Sequence, residues 1–379
     1  MSGCGKSQCC GGGGCGKQQQ QQPATAAQSQ EASTPKPTIL PPADTLIASD
    51  SVEIKYGATD QMVAFKGCPS SQQSVGGESV CQSCPGKDTC SSQSANTDKR
   101  SIDIRMKVIK HKIFIMSGKG GVGKSSIASL LAYSLASRSK KVAILDVDIC
   151  GPSIPKLMAV EGQSIVNSDA GWLPLKPTNG HDDNIRVMSI GSMLASQDAS
   201  VVWRGPRKTN IINRFLKDTY WGRQDFLLVD TPPGTSDEHL SIVTALSSCK
   251  PDGAVIVTSP QNLSVDTVKR EITFCKKMGV PILGIVENLS GYACPCCDEV
   301  TDIFSSDGGI KLAAQFNIPF LGKVPIDTNI GHCMENGKCL ICDCPNSSGA
   351  KSIQSITDKL LDILSGGAGV STATPSNNT

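Results

Sequence analysis

Short apolar runs alternate with longer stretches of helical periodicity in most of this 379-residue chain. Each run spans four or five mostly apolar residues, with 320–324 the weakest, which is typical of a strand buried on both faces. The intervening stretches are long enough for a helix that leads back to a parallel strand. The runs are 113–116, 142–145, 187–190, 226–229, 254–257, 282–286 and 320–324. The pattern predicts an α/β domain with a mostly parallel sheet flanked by helices.

Helical periodicity falls between and after these runs. The predicted helices are 125–137, 208–218, 237–247, 264–278, 308–316 and 351–365. Outside this part the composition changes to glycine, glutamine, serine and threonine, which cannot bury enough apolar surface to offset the entropy of ordering. We therefore expect four parts: a disordered low-complexity segment (1–67), a cysteine-rich arm (68–107), the α/β domain (108–365) and a disordered tail (366–379).

Charge and composition narrow the class of protein. There are 36 basic and 34 acidic residues, so the net charge of +2 gives no footprint for nucleic acid or an anionic membrane. No apolar run approaches the ~18–20 residues of a membrane helix, and the amino terminus lacks the apolar core of a secretory signal. We expect a soluble, cytoplasmic protein. In that compartment its 18 cysteines are better explained as metal or cluster ligands than as disulfides, although some are simply buried thiols.

The strongest motif is a glycine-rich loop that follows the run 113–116 and opens a helix. Its members are Gly118, Lys119, Gly120, Gly121, Val122, Gly123, Lys124, Ser125 and Ser126. Glycines let backbone N–H groups close around phosphates, and the helix N-terminus adds positive potential. Lys124 is placed to reach the β- and γ-phosphates, and the Ser125 hydroxyl to bind Mg²⁺. The loop predicts nucleotide binding.

Carboxylates end two of the buried runs. Asp146 and Asp148 follow the run 142–145, and Asp230 follows 226–229 and precedes Gly234. Ligands of open α/β sheets bind at the carboxyl ends of the strands, so Asp230 is expected to hold Mg²⁺ through water. A single strand-ending aspartate is often only a helix cap or a turn residue. Three of them beside a phosphate loop favour nucleotide chemistry.

Three segments together, 119–125, 146–155 and 230–239, resemble the Mrp/NBP group of deviant Walker A ATPases, over about 108–365. The resemblance implies a P-loop fold with ATP held between two subunits. Lys119 would cross to the partner's phosphates, Lys124 would bind phosphate, Asp148 would position the attacking water and Asp230 would serve Mg²⁺. Gln261 and Asn288 fall where members contact nucleotide, the asparagine at adenine. The stretch 203–208 also matches, at a dimer or switch surface, but a basic turn before a helix is the simpler account and no site is assigned to it.

The arm carries Cys68, Cys81, Cys84 and Cys90 in the pattern C-x12-C-x2-C-x5-C. Four thiolates at such spacing suit either zinc or a [4Fe-4S] cluster, and ligand chemistry alone leaves both open. The resemblance favours the cluster. It points to the eukaryotic cytosolic iron-sulfur scaffold branch, the nucleotide-binding protein 1 type, which carries such a motif before the ATPase domain. The first gap here is one residue shorter than in that pattern.

A second group, Cys294 and Cys297, forms a C-x2-C pair with Cys296 between them. Two ligands per chain complete a four-coordinate site only with distant cysteines or a second subunit. The resemblance implies that two such pairs bridge one labile [4Fe-4S] cluster, with Cys296 a spectator or an alternate ligand. No site is assigned to Cys4, Cys9, Cys10 and Cys15 or to Cys333, Cys339, Cys342 and Cys344. Cys150, Cys249 and Cys275 are interpreted as small buried hydrophobic residues.

The sequence hypothesis is an ATP-hydrolysing scaffold that assembles [4Fe-4S] clusters and transfers them to cytosolic and nuclear apoproteins. Its cofactors would be ATP, Mg²⁺, a cluster on the arm and a bridging cluster. Its partners would be a second copy or a shorter related ATPase without the arm, together with apo iron-sulfur proteins and transfer factors. A zinc-containing targeting ATPase is the main alternative, but it requires a methionine-rich client subdomain, which the sequence does not indicate. A membrane- or DNA-positioning ATPase requires a basic terminal helix, which the sequence does not indicate either.

Overall fold

The computed structural model describes residues 98–178, 183–193, 203, 205–294, 299–304 and 307–366. The predictions for the arm cysteines and for Cys297 lie outside these residues. The boundaries predicted at 67, 107 and 365 stay predictions.

A single sheet organises the described part of the chain. Its seven parallel strands run in the order β10-β8-β7-β1-β6-β2-β5, and the short β9 pairs antiparallel with β8. All seven apolar runs lie wholly or mostly within these strands, which confirms the predicted fold class. The strands are β1 (Ile109–Met116), β2 (Val142–Asp146), β5 (Ile185–Ser189), β6 (Gln224–Asp230), β7 (Gly253–Thr258), β8 (Ile282–Ala293), β9 (Val300–Thr301) and β10 (Phe320–Ile326), with a separate hairpin of β3 (Val166–Ser168) and β4 (Gly171–Leu173).

Helices cover both faces of the sheet. They are α1 (98–106), α2 (Lys124–Ala136), α3 (Ile154–Leu157), α4 (Gly205–Asp218), α5 (Asp237–Leu246), α6 (Asn262–Met278), α7 (Gly308–Phe316), α8 (Thr328–Glu335), α9 (Leu340–Asp343) and α10 (Ser348–Leu364). On one face, α2 packs against α3, α9 and α10, while α4 packs with α5 and α6 with α7. Every residue of β2 and β7 is buried as a result. Two covered faces explain why the strands read as continuous apolar runs.

The segment 98–106 was placed by the sequence in the arm, but it forms a helix on the domain. Ile102 and Met106, one turn apart, are 3% and 0% exposed and belong to the main core. The Arg105 guanidinium donates to the carbonyls of Lys217 and Ala170, at 3.2 and 2.6 Å. A buried apolar pair at i and i+4, in a helix whose other side chains are mostly polar, is the signature of a one-sided helix. Residues 98–106, which the sequence assigned to the arm, therefore pack on the α/β domain.

Candidate nucleotide site and cysteine hairpin

The glycine-rich loop connects β1 to α2 at the carboxyl edge of the sheet. Two of its glycines are required by the geometry. A Cβ on Gly118 would lie 2.5 Å from the carbonyl carbon of Thr267, and Gly123 has φ +80° at the start of α2. The first glycine lets the loop approach α6, and the second supplies the left-handed turn that opens the helix. The loop thus has the conformation expected of a phosphate cradle.

Three polar side chains meet at the mouth of this loop. The Lys124 ammonium lies 2.6 Å from Asp230 Oδ1, and the Ser125 hydroxyl donates to Asp230 Oδ2 at 2.6 Å. Lys124 Nζ also lies 3.1 Å from Ser125 Oγ. Asp230 is fully buried and Lys124 nearly so. The structure therefore brings together the predicted phosphate-binding lysine and the two predicted Mg²⁺ residues.

A second pair of carboxylates lies at the end of β2. Asp146 Oδ1 accepts the Asp148 backbone N–H at 3.0 Å, and Asp146 Oδ2 accepts the Ser189 hydroxyl at 2.9 Å. Burial, followed by the nearby Asp230 charge, raises the pKa of Asp146 to about 8. Burial is also the largest cause that raises the pKa of Asp148, whereas Lys124 opposes the rise. Asp146 holds the turn that presents Asp148, a positioning role that the sequence did not assign.

The segment after Asp230 is fastened to the phosphate loop. The Thr231 hydroxyl donates to the Ile115 carbonyl at 2.9 Å, and the Gly234 N–H donates to the Ser117 carbonyl at 2.9 Å. These bonds join the end of β6 to the end of β1. Any displacement of one segment is therefore transmitted to the other.

An ion pair that the sequence missed ties α4 to α5 beside this segment. Lys208 Nζ lies 2.6 Å from Glu238 Oε1 and 3.3 Å from the Cys150 sulfur, so Lys208 is the link among the three. Burial raises the pKa of Glu238, but hydrogen bonds, the one from Lys208 foremost, outweigh it and hold the pKa below its ordinary value. Cys150, read from the sequence as a buried hydrophobe, is exposed because it lies on the turn just after Asp148. The stretch 203–208 was the only signal of this contact.

Three residues predicted to contact nucleotide, Asn288, Gln261 and Lys119, lie in different surroundings. The Asn288 amide donates to the Val122 carbonyl at 2.8 Å, so this side chain braces the phosphate loop from β8. Gln261 is half-buried at the N-cap of α6, at the same edge. Lys119 is half-buried and makes no ion pair with any residue in the described part of the chain. That leaves Lys119 available to a group outside the chain.

Cys294 directly follows a strand that extends the sheet beyond this edge and pairs there with a short antiparallel strand. β8 continues past Asn288 and pairs with β9 through Tyr292 with Thr301 and Ala293 with Val300. The Cys294 N–H then donates to the Glu299 carbonyl at 2.9 Å, one step beyond these pairs. Cys294 is half-buried, and Cys297 lies outside the described residues. Cys294 comes six positions after Asn288, roughly 20 Å at most along the chain.

Buried hydrogen bonds anchor the base of this hairpin. Glu287, fully buried, accepts the Ser290 hydroxyl at 2.6 Å and the Gly309 N–H at 2.5 Å. Its two carboxylate oxygens therefore hold the strand and the start of α7 together. The strand at the base of this hairpin is therefore fixed to the start of α7.

The cysteine segment after β10 forms two short helices that the sequence did not predict. Cys333 and Cys339 are buried in the core, and burial followed by the neighbouring Cys344 raises the pKa of Cys333 to about 11. Within the described ranges, no three His, Cys, Asp or Glu side chains are grouped to hold a metal ion. These thiols are mainly structural in this arrangement.

A phosphate loop between β1 and α2, with a strand-ending aspartate on its serine, defines the chain as a P-loop NTPase. A sequence profile described as ParA, NUBPL iron-transfer P-loop NTPase, matches residues 108–361. The chain belongs to this family. The match covers the whole sheet and every residue of the nucleotide site described above.

Relatives and solved structures agree with this assignment. The chain is 51% identical over 253 residues to the cytosolic Fe-S cluster assembly factor NUBP2 homolog of Dictyostelium discoideum, covering 67% of this chain and 95% of the relative. It is 48% identical over 255 residues to the homolog of the same name from Nematostella vectensis, covering 67% and 94%. A nucleotide-binding protein from Archaeoglobus fulgidus, solved with ADP, is 37% identical with a TM-score of 0.56, covering 64% of this chain and 92% of that one.

Each match takes in nearly the whole of the other protein but only about two thirds of this chain. Among the described residues, none of the helices combines the length and apolarity needed to span a bilayer.

Proposed function

We propose that this protein is an ATP-hydrolysing scaffold of the cytosol, on which [4Fe-4S] clusters are assembled and from which they are transferred to apoproteins. The observation that supports this most is the placement of the Cys294 hairpin and the phosphate loop at one edge of one sheet, joined by β8. Membership in an iron-transfer NTPase family gives the cysteines a chemistry, and the relatives' names give it a cellular setting.

Nucleotide binding follows from the phosphate loop. The backbone N–H groups of 118–125 and the Lys124 ammonium would bind the phosphates of ATP. The Ser125 hydroxyl and the Asp230 carboxylate, whose oxygens lie 2.6 Å apart, are hard oxygen donors that fit Mg²⁺. Mg²⁺ would neutralise charge on the phosphates when bound. Lys124 would exchange its carboxylate partner for phosphate oxygens.

Hydrolysis requires a water in line with the γ-phosphorus. Asp148, presented by Asp146 beside the phosphate loop, would accept a hydrogen bond from that water and orient it. Attack on the γ-phosphorus breaks its bond to the bridging oxygen, and Lys124 stabilises the charge that develops there. Lys119 would reach the phosphates of a second subunit. Slow turnover is expected, because positioning and electrostatics are the only catalytic contributions.

A second subunit is also favoured by the surface around the site. Leu240 and Leu263, in the first turns of α5 and α6 at the phosphate-loop edge, are 50% and 62% exposed. Apolar side chains of this size at one edge favour a protein interface. Two facing subunits would bring two Cys294/Cys297 pairs together, which supplies the four thiolates that a [4Fe-4S] cargo needs.

The arm and the partner are the finer parts of the proposal. Cys68, Cys81, Cys84 and Cys90 would hold a second cluster, as in the nucleotide-binding protein 1 type, whereas the curated relatives bear the NUBP2 name. A chain with the arm would pair with itself or with a shorter relative of the NUBP2 kind. Recipients would be apo iron-sulfur proteins and transfer factors of the cytosol and nucleus.

The test is anaerobic purification followed by iron, sulfide and zinc analysis and EPR of the reduced protein. Wild type is compared with Cys294→Ala/Cys297→Ala, and with Cys150→Ala as a matched thiol exposed at the same edge. The proposal expects the pair variant to lose one labile [4Fe-4S] pool and to keep an arm pool, with Cys150→Ala unchanged. Stoichiometric zinc without iron or sulfide would contradict the scaffold and favour a zinc-containing targeting ATPase.

A further inference from the structure

A groove lies at the amino edge of the sheet, on the side opposite the phosphate loop. One cavity of about 370 Å³ is bordered by the turn before β6, the start of β5 and the segment after β4. A second cavity of about 540 Å³ is bordered by the starts of β1 and β6. Both are lined by Lys141, Arg223 and Gln224, so they form one continuous groove.

The groove is strongly basic. Its cationic lining residues are Lys107, Lys110, Lys141, Lys176, Arg186 and Arg223, against two carboxylates, Asp183 and Asp225. Both carboxylates are engaged: Asp225 accepts the Lys141 backbone N–H at 2.8 Å, and Asp183 lies 3.5 Å from Lys176 Nζ. The ammonium groups of Lys107, Lys110 and Lys141 and the Arg223 guanidinium make no ion pair with any described residue. The six cations of the groove outnumber its two carboxylates, which leaves a net positive field.

Apolar side chains are exposed in and beside the same groove. Val108, Leu173 and Tyr220, which line it, are 46%, 38% and 47% exposed, and Ile104 on the adjoining α1 is 61% exposed. A solvated basic surface does not need exposed leucine or isoleucine. Cations interspersed with apolar side chains are complementary to a peptide that alternates carboxylates with aliphatic residues.

One segment of this chain has that composition. Residues 38–54 contain Asp44, Asp50 and Glu53, no lysine or arginine, and six large aliphatic side chains. The described chain begins close to the groove, because Asp98 pairs with Lys217 at 2.7 Å and Tyr220 follows three residues later. About 44 residues separate 54 from 98, which span roughly 140 Å when extended. Length therefore does not prevent the segment from reaching the groove.

We propose that residues 38–54 bind in this basic groove of the same chain. The carboxylates would pair with Lys107, Lys110 and Lys141, and the aliphatic side chains would cover Val108, Leu173 and Tyr220. The four arm cysteines would then lie on a loop tethered at both ends, instead of on a free terminus. This proposal does not depend on the proposed function, since it invokes neither nucleotide nor cluster.

Hydrogen exchange of the full chain tests it. Amides of 38–54 should exchange about tenfold more slowly in the full chain than in a synthetic peptide of the same sequence, because binding in the groove protects them from solvent. The variant Lys107→Glu/Lys110→Glu/Lys141→Glu should return them to the peptide rate. The matched variant Lys277→Glu/Lys351→Glu/Lys359→Glu, with three exposed lysines elsewhere, should keep the protection. Amides of β1 and β6 report in every sample that the domain is folded.

Carbodiimide cross-linking shows whether residues 38–54 bind in the groove of their own chain or in that of another chain. In an equal mixture of ¹⁵N-labelled and unlabelled wild-type chain, links from Asp44, Asp50 or Glu53 to the three lysines should join peptides of the same isotope only. Mixed-isotope links would show binding between chains and overturn the proposal. Exchange of 38–54 at the peptide rate in wild type, or protection that survives the triple substitution, would overturn it as well.

Discussion

The Lys124 ammonium lies 2.6 Å from the Asp230 carboxylate, and neither side chain is more than 6% exposed. A buried pair of this kind is costly to break, because removal of one charge leaves the other without a partner in a poorly solvated site. Here the same two groups are the ones expected to hold phosphate and Mg²⁺. In this structure the charges of Lys124 and Asp230, the groups expected to bind phosphate and Mg²⁺, therefore neutralise each other.

Substitutions at this ion pair give the first prediction. Lys124→Met should lower the free energy of unfolding by about 3 kcal/mol, since Asp230 keeps only the Ser125 hydroxyl as a donor. Lys124→Met/Asp230→Asn should recover most of that loss, and Lys140→Met, at an exposed position, should lose almost nothing. Urea denaturation measures all three. A double variant no more stable than the single one would show that the pair is not the cause.

Substitution of Asp148 should separate hydrolysis from binding. Asp148→Asn keeps the shape of the side chain but orients water poorly, so the rate of phosphate release should fall about 100-fold. ATP affinity, measured by calorimetry, should change by less than about threefold. Asp237→Asn, an aspartate at the start of α5 outside the water-positioning site, is the matched control. An unchanged rate in Asp148→Asn would exclude this residue from the reaction.

Nucleotide specificity can distinguish two roles of Asn288, as a brace of the phosphate loop or as a contact to adenine. If its amide acts by bracing the Val122 carbonyl, Asn288→Ala should weaken ATP and GTP binding equally, by about tenfold, the loss expected for one buried hydrogen bond. If it also contacts adenine, ATP binding should weaken more than GTP binding. Binding of both nucleotides unchanged would show that the phosphate loop does not need the brace.

His239 gives a pH dependence of stability. It is fully buried, neither ring nitrogen has a hydrogen-bond partner among the described residues, and burial followed by the Lys124 charge lowers its pKa from 6.5 to about 4. Above pH 6.5 the ring is neutral in both states, and its contribution to stability is complete. As the pH falls toward 4 only the unfolded chain gains the proton, so stability falls by up to about 3 kcal/mol.

His239→Phe should remove that part of the acid sensitivity. Phenylalanine keeps the edge-to-face packing against Phe274, whose ring centroid lies 5.9 Å away. The measurement is the difference in unfolding free energy between pH 7 and pH 4 for wild type and variant, with the exposed His332→Phe as control. Equal acid sensitivity in wild type and His239→Phe would refute the assignment.

Much of the sheet could be predicted from the sequence, because strands buried on both faces have an unmistakable apolar signal. The phosphate loop was equally readable from its glycine motif, and a Cβ at Gly118 or Gly123 would clash with Thr267 or Asn288. The extension of β8 past Asn288 was not readable. It passes through Leu289 and Gly291, both at positive φ, and the polar composition there resembles a loop.

Contacts between distant segments were also beyond the sequence. The bond between Lys208 and Glu238 joins two helices that are 30 residues apart, and the Asp146 brace on Asp148 uses a carboxylate that looked like a ligand. The helices α8 and α9 were missed because they are short, at eight and four residues. In the fold, Cys333 and Cys339 fill core positions beside apolar neighbours.

β8 touches the phosphate loop through Asn288 and carries Cys294 at its far end. A shift of the Val122 carbonyl on phosphate binding would therefore act on the strand that leads to the thiol. Linkage between two sites is reciprocal in free energy: a cargo that prefers one nucleotide state shifts nucleotide affinity by the same factor. For the scaffold proposed above, the affinity for ATP would then depend on whether Cys294 and Cys297 hold a cluster.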